Sequence, residues 1–375
     1  MSFPKRQPHS CGPYPVSKSD EQTFQSVFGV QPEGSGSAPG RVNLLGDHTD
    51  YSGGFVLPTT IPQRTVVDIG VHSDEDEVYS ATLGERVSFA RTEPPPGFAR
   101  YIAGCLRVLE AEGFAVPPLR LTIRSDVPVG AGLSSSAALE VATLRAVDAR
   151  FQFGLDPVRL ALLAQAAEVK YAGVACGILD QMACSLGRDK RMLFLDTLTL
   201  ERELLPLPDG AEVLVIDSGV QRRLVESAYN TRRAECVAAA EALGVERLRD
   251  ASDLSAVERL PSPLRERARH VVSENARVLS AKDSDAITFG SLMNQSHNSL
   301  SRDYAVSIPE VDRLALALQQ QDGVFGARMT GAGFGGACVA LVREGHAASV
   351  GQDVLSCLEL GEIARPRVIV PKAAA

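Results

Sequence analysis

The run Pro128-Val-Gly-Ala-Gly-Leu-Ser-Ser-Ser-Ala-Ala138 constrains this chain more than any other stretch. It follows Leu119, Leu121 and Ile123, which alternate as a strand, and precedes a helix predicted from about Ser135 to Arg150. Gly130 and Gly132 let the backbone approach a ligand closely. Ser134, Ser135 and Ser136 set hydroxyls beside the open N–H groups of a helix N-terminus, where those groups and the helix dipole both favour an anion. Such hydroxyls also suit phosphate oxygens and a magnesium ion. An ordinary strand–turn–helix with a serine cap reads the same residues equally well, so both readings stand at this point. A Walker P-loop is excluded, because Gly-x4-Gly-Lys-Ser/Thr does not occur.

Two further loops are rich in glycine. Gly331-Ala-Gly-Phe-Gly-Gly336 satisfies Gly-x-Gly-x-x-Gly, yet Ala337-Cys-Val-Ala-Leu-Val342 after it reads as a strand where a dinucleotide fold needs a helix. What remains is a tight turn, preceded by Arg328 and Thr330 and able to close over a nucleotide. Ser37-Ala-Pro-Gly40 runs straight into Arg41, and Gly34 to Gly40 reads as loop.

Arg41-Val-Asn-Leu-Leu-Gly-Asp-His-Thr-Asp-Tyr51 packs charge and aromatic rings into one short segment. A metal centre usually carries more His or Cys. Carboxylates with an imidazole suit a sugar, whose hydroxyls both donate and accept, and a polar surface turn is the plain alternative. Glu168 sits at the edge of the apolar stripe of a helix opened by Asp156-Pro157. Asp180 lies among apolar residues in Cys176-Gly-Ile-Leu-Asp-Gln181. Each acid needs a partner if buried.

Composition narrows the function classes. Across 375 residues, 38 Lys and Arg face 46 Asp and Glu, a net charge of −8, which argues against a general nucleic-acid binder. The seven cysteines are scattered with no Cys-x-x-Cys pair, which fits a reducing cytoplasm better than a disulfide framework or zinc site. No run approaches the roughly eighteen apolar residues of a membrane span, and no apolar targeting segment opens the chain. A cytoplasmic protein without membrane or nucleic-acid partners is expected.

Strands are predicted at Arg41–Leu45, Arg64–His72, Met192–Leu195, Val213–Ile216, Val324–Met329, Cys338–Val342 and Val368–Val370. A capping box at Ser19–Gln22 predicts a first helix to about Val30, and His72–Glu77 reads as a solvated turn. Leu204–Gly210 reads as a Pro-rich turn, so lobes of 1–205 and 206–375 are expected. Strands and helices mix without strict alternation, so the fold class is α+β.

Taken together, these motifs resemble the GHMP small-molecule kinases, and within them the galactokinase branch. Gly40 to Tyr51 resembles that branch's signature, Pro128–Ala138 the family's phosphate loop, and Arg328–Gly336 its third motif. Ala167-Glu168 through Asp180-Gln181, Tyr229–Cys236, His270–Glu274 and Met293–His297 agree as well. The likeness runs from about Gly36 to Cys338. It implies a two-lobed fold, with a ribosomal-S5-like N-terminal lobe, a ferredoxin-like C-terminal lobe and the active site between them. It also implies ATP-dependent phosphorylation of the anomeric hydroxyl of D-galactose, with ATP and Mg²⁺ bound by a monomer. By position, Asp180 is then the base and Arg41 its partner; Asp47, His48, Asp50, Gly177 and Tyr229 contact the sugar. Gly130, Gly132 and Ser134–Ser136 cradle the phosphates, Phe98 and Tyr101 lie near the adenine, and Ser136 and Glu168 hold magnesium.

Three positions depart from the family pattern. Asp47 replaces the usual Glu, which in the family reaches the sugar's 6-hydroxyl; Phe98 replaces a common Trp, and Arg222 a frequent His. A kinase for a related sugar, such as N-acetylgalactosamine, and a non-catalytic galactose sensor are the rival readings. The intact serine loop, Arg41 and Asp180 favour an enzyme.

Overall fold

The computed structural model describes residues 23–220, 225–358 and 365–372. The capping box at Ser19–Gln22 and Arg222 lie outside the described residues. The first described helix, α1 (Phe24–Phe28), is capped by Thr23 and ends at Gly29.

One mixed sheet is built from β1 (Gly34–Asn43), β2 (Phe55–Val56), β3 (Pro58–Val71), β4 (Asp76–Ser80), β5 (Glu85–Phe89), β6 (Leu119–Ser125), β7 (Arg191–Asp196) and β8 (Arg202–Pro206). Its path is β2-β7-β3-β6-β4-β5, with β1 added on β3 and β8 on β7. Only the β4–β6 pairing is parallel among these described strands. Helices α2 (Ala99–Ala111), α3 (Ser135–Phe151), α4 (Pro157–Ala167) and α5 (Leu179–Leu186) accompany this sheet. The second sheet takes β9 (Ala211–Asp217), β10 (Val324–Met329), β11 (Ala337–Arg343) and β12 (Arg367–Val370) in the antiparallel order β10-β11-β9-β12. Between β9 and β10 run α6 (Val225–Leu243), α7 (Leu254–Glu258), α8 (Leu264–Ala281), α9 (Ala286–Arg302) and α10 (Pro309–Gln319). With α11 (Ala347–Cys357) between β11 and β12, this is the β-α-β-β-α-β order of a ferredoxin-like lobe with an enlarged first helical crossover.

Alternation along β9 and β11 ties the two sheets together. Val215, Val339 and Leu341 join the core that holds α2 and α3, while Leu214, Ile216, Cys338 and Ala340 join the C-terminal core. Both faces of the second sheet are therefore buried.

Several expectations are corrected. Gly34–Gly40 is strand, because α3 lies directly on it: a Cβ at Gly36 would stand 2.2 Å from the Ala142 carbonyl oxygen. Glycine there serves close helix approach, and the same composition reads as loop in sequence. His72–Glu77 is not wholly solvated. Asp76 opens β4 and is buried, accepting from Arg91 at 2.6 and 2.7 Å and from the Leu119 N–H at 2.9 Å. Leu204 and Leu205 belong to β8, so the turn starts only after Pro206.

The helix caps set the site. Asp156 accepts from the N–H groups of Val158 and Arg159, with Pro157 next to it, and so starts α4. At Glu168 the α-helical ladder widens into a π turn through Ala172, closed by Gly173 at φ 78°. Turns of this kind are frequent at functional sites.

Candidate active site

Positive φ at Gly130 (78°) and Gly132 (82°) turns the loop so that Ser134 (60°) caps α3. The first N–H groups of a helix lack intrahelical acceptors. Ser134 Oγ is buried and finds no hydrogen-bond partner among the described residues. Phe98, at the start of α2, and Tyr101 line one cleft with Ser135, Ser136, Thr82 and Leu139. Aromatic walls and serine hydroxyls thus face the same space.

Arg41 joins this loop to α5. Its Nη1 donates to the Gly132 carbonyl oxygen at 2.7 Å, while Nε and Nη2 donate to Asp180 Oδ1 at 2.8 and 2.5 Å. Arg41 is 5% exposed and Asp180 32%. Because both guanidinium contacts fall on Oδ1, Asp180 Oδ2 has no protein donor among the described residues.

Next to this pair the structure gathers further acids. Ser136 lies close enough to Glu168 to favour its charged form, and Gln181 Nε2 donates to Glu168 Oε2 at 2.6 Å and reaches Glu140 Oε2 at 3.4 Å. Burial, and then the charge of Asp180, push Glu168 up to about 7. Burial, and then Glu168, push Glu140 well above the ordinary carboxylate range. Glu140 Oε1 is itself buried without a partner among the described residues. The donors are hard oxygens, as Mg²⁺ prefers. No group of three or more His, Cys, Asp or Glu forms a metal cage among the described residues. Sequence reading singled out Glu168 but missed Glu140; its only signal is its place four residues after Ser136, on the same helix face.

The charged cluster after β1 closes the other side. The His48 ring, at φ 65°, has Nδ1 2.9 Å from the Tyr51 hydroxyl and packs near Tyr229 and Tyr304 at 5.7 and 4.8 Å between centroids. Asp50 accepts from the Tyr51 N–H at 3.0 Å and from the Leu179 N–H, at the start of α5, at 3.3 Å. A Cβ at Gly177 would lie 1.9 Å from Asp50 Oδ2, so only glycine lets that loop cross the carboxylate. Burial, and then Asp180, raise Asp50 to about 6. Tyr229, from α6, meets Tyr51 edge-on at 5.4 Å. His48, Asp50, Gly177 and Tyr229 therefore gather beside Asp180, while the carboxylate of neighbouring Asp47 is held by the buried Arg328. Tyr304 is a member that no local pattern in the sequence reveals.

Arg328 and Thr330 do not extend toward a nucleotide. Arg328 is wholly buried; it pairs with Asp47, donates to the Leu44 carbonyl oxygen at 3.0 Å and lies 3.5 Å from Glu274 Oε1. The Thr330 hydroxyl accepts from the Asn43 N–H at 2.8 Å and donates to the Asn43 carbonyl oxygen at 3.3 Å. The two terminal nitrogens of this buried guanidinium are held by Asp47, Glu274 and the Leu44 carbonyl oxygen, and only Nε is without a partner among the described residues, so these residues anchor β10 behind the Asp47 segment. Glu274 Oε1 also accepts from the Gly46 N–H at 2.8 Å. Despite its burial, it is drawn down to about 2 by Arg277 and Arg328.

Comparison with known proteins matches this layout. Residues 22–71 fit the galactokinase galactose-binding signature, 100–188 the GHMP kinases N terminal domain and 277–359 the GHMP kinases C terminal. A galactokinase of Roseiflexus sp. is 44% identical over 337 residues, covering 86% of each chain. The chain belongs to the galactokinase family. A galactokinase of Thermotoga petrophila is 39% identical over 85% of this chain and 92% of its own. The crystal structure of Lactococcus lactis galactokinase complexed with galactose superposes with a TM-score of 0.85, at 34% identity, over 92% of this chain and 95% of that one. A mevalonate kinase structure at 18% identity and TM-score 0.63, over 89% and 98%, shares the GHMP kinase fold. The galactokinase-family chain is thus an enzyme of the kinase class, and use of ATP follows from that class. Among the described residues no helix is long and apolar enough to cross a membrane.

Proposed function

We propose that this protein transfers the γ-phosphoryl group of ATP to the anomeric hydroxyl of D-galactose, giving galactose 1-phosphate and ADP. The observation that carries the reading is the Arg41 bridge, which places the Gly132 loop and Asp180 on one guanidinium. On this reading, residues 1–205 and 206–375 are the two lobes. A cytoplasmic monomer completes it, supported by the scattered cysteines and by sugar and nucleotide walls supplied within one chain.

Phosphoryl transfer is mostly positioning and charge stabilisation. Phe98 and Tyr101 bracket the adenine, while Gly130, Gly132 and Ser134 to Ser136 present N–H groups and hydroxyls to the phosphates. Ser136 and Glu168 would hold Mg²⁺, which when bound neutralises charge shared between the β- and γ-phosphates. Asp47, His48, Asp50, Gly177 and Tyr229 orient the sugar. Asp180 Oδ2, left open by the one-sided Arg41 contact, accepts the hydroxyl proton, and Arg41 offsets charge on the moving phosphoryl group.

A coupled ADP-release assay tests this across galactose, its N-acetyl and 2-deoxy analogues, glucose, arabinose and mevalonate. Galactose should give the highest kcat/KM; a preference for another of these sugars or for mevalonate would replace the assignment.

Asp47→Glu tests the sugar-side role. The change lengthens the side chain by about 1.5 Å while keeping a carboxylate for Arg328. Galactose KM should stay level or fall, and a large rise would contradict the contact.

A pH prediction follows from Glu168. Its folded value of about 7 lies above the ordinary value of 4.5, so the folded protein binds this proton more tightly than the unfolded chain does. The associated stability is fully present below about 4.5 and is lost as pH rises through about 7. Without nucleotide or Mg²⁺, the melting temperature should fall across that window, and Glu168→Gln should flatten the fall. An unchanged slope in Glu168→Gln would show that another group titrates there.

A further inference from the structure

A second cavity, of about 390 Å³, opens between β3, α3 and the C-terminal end of α5. None of the residues placed in the active cleft lines it. Its wall carries Arg64, Arg145 and Arg188 against one acid, Asp189, with Cys184 and Gly187 beside them. Local charge is thus strongly positive in a protein whose net charge is −8.

These arginines differ from the others near the first sheet, where Arg91 pairs with Asp76, Arg124 with Asp68 and Arg249 with Asp196. Arg145 is half-buried and donates to two backbone carbonyls, of Ser37 at 2.6 Å and Ser185 at 2.7 Å. Those contacts fix its position and cap α5 without neutralising its charge. Arg64 Nε reaches only the Ser37 hydroxyl, at 3.0 Å, and Arg188 only its neighbour's carbonyl, at 3.3 Å. Among the described residues, no carboxylate forms an ion pair with any of the three. Burial, and then the charge of Arg64, lower the Arg145 value from its ordinary one.

We propose that this cavity is a second binding site, separate from the active cleft, for a small phosphate-bearing anion. Guanidinium forks match phosphate oxygens two at a time, and a fixed Arg145 between two adjustable arginines at the surface suits one tetrahedral group. The volume leaves room for a small organic body on the phosphate. Cys184, in the cavity wall, lies one turn beyond Asp180 on α5, so a bound anion would rest against the helix that carries Asp180.

Isothermal titration tests the site in protein saturated with galactose and ADP, with inorganic phosphate in one arm and glucose 6-phosphate in the other. At least one arm should show saturable binding, and the tighter arm tells a free ion from a phosphate ester. The double variant Arg64→Glu with Arg188→Glu should bind about tenfold or more weakly, and Arg188→Ala should weaken binding in the same direction. Turnover without added anion should stay at the parent value in both, since neither side chain touches the active cleft. Absence of binding in both arms, or equal binding by the double variant, overturns the proposal. The comparison of variants does not depend on which sugar the active cleft takes.

Discussion

Asp180→Asn should lower kcat by about 10²–10⁴-fold, the usual contribution of a positioned base, with galactose KM changed far less. The substituted amide keeps the shape of the carboxyl group and its place on α5, so the fold should hold. It removes the charge that answers Arg41 and the oxygen lone pair that takes the hydroxyl proton. Arg41 is nearly fully buried, yet it still has the Gly132 carbonyl oxygen at 2.7 Å. Steady-state kinetics with a parallel circular-dichroism melt separates lost chemistry from lost structure. Turnover near the parent rate would remove Asp180 from the mechanism.

The second large effect concerns stability. Arg328→Met should cost about 3–5 kcal/mol of folding free energy, as breaking a buried pair does when an uncompensated charge is left behind. Here two carboxylates are left, Asp47 and Glu274, both buried. Glu274 is drawn down to about 2 in the folded protein, below the ordinary value of 4.5, so it contributes stability above about 4.5 that is lost as pH falls toward 2. In Arg328→Met one of its two cations is gone, so the deficit relative to the parent should be largest near neutral pH and shrink on acidification. Urea denaturation at neutral and mildly acidic pH measures both parts. A loss below about 1 kcal/mol at neutral pH would mean that the anchor is worth no more than a surface ion pair.

The two predictions mark what the sequence makes legible. The serine loop, α3 and α4 can be read because their signals are local: glycines in a turn, Asp156-Pro157 at a helix start, apolar spacing along one face. Asp180 stands out as a charge in apolar company and Arg41 as the head of a charged cluster, although 139 positions separate them. Arg328 reads only as a strand residue ahead of a tight glycine turn, because its partner Asp47 is 281 positions away and only packing of β10 behind the first lobe brings them together. Gly36 is misread for the same reason, since the helix that requires it is more than a hundred residues downstream. Glu140 has only its place one turn after Ser136 as a signal, and Tyr304 has none, since long-range packing alone brings it to the site.

A crystal structure with galactose and a non-hydrolysable ATP analogue tests the central claim most directly. The account predicts the anomeric oxygen within about 2.6–3.2 Å of Asp180 Oδ2, and the γ-phosphate between Arg41 and the serine loop on its far side. A sugar bound with its anomeric carbon turned away from Asp180, or triphosphate lying outside the Gly130–Ser136 turn, would contradict it.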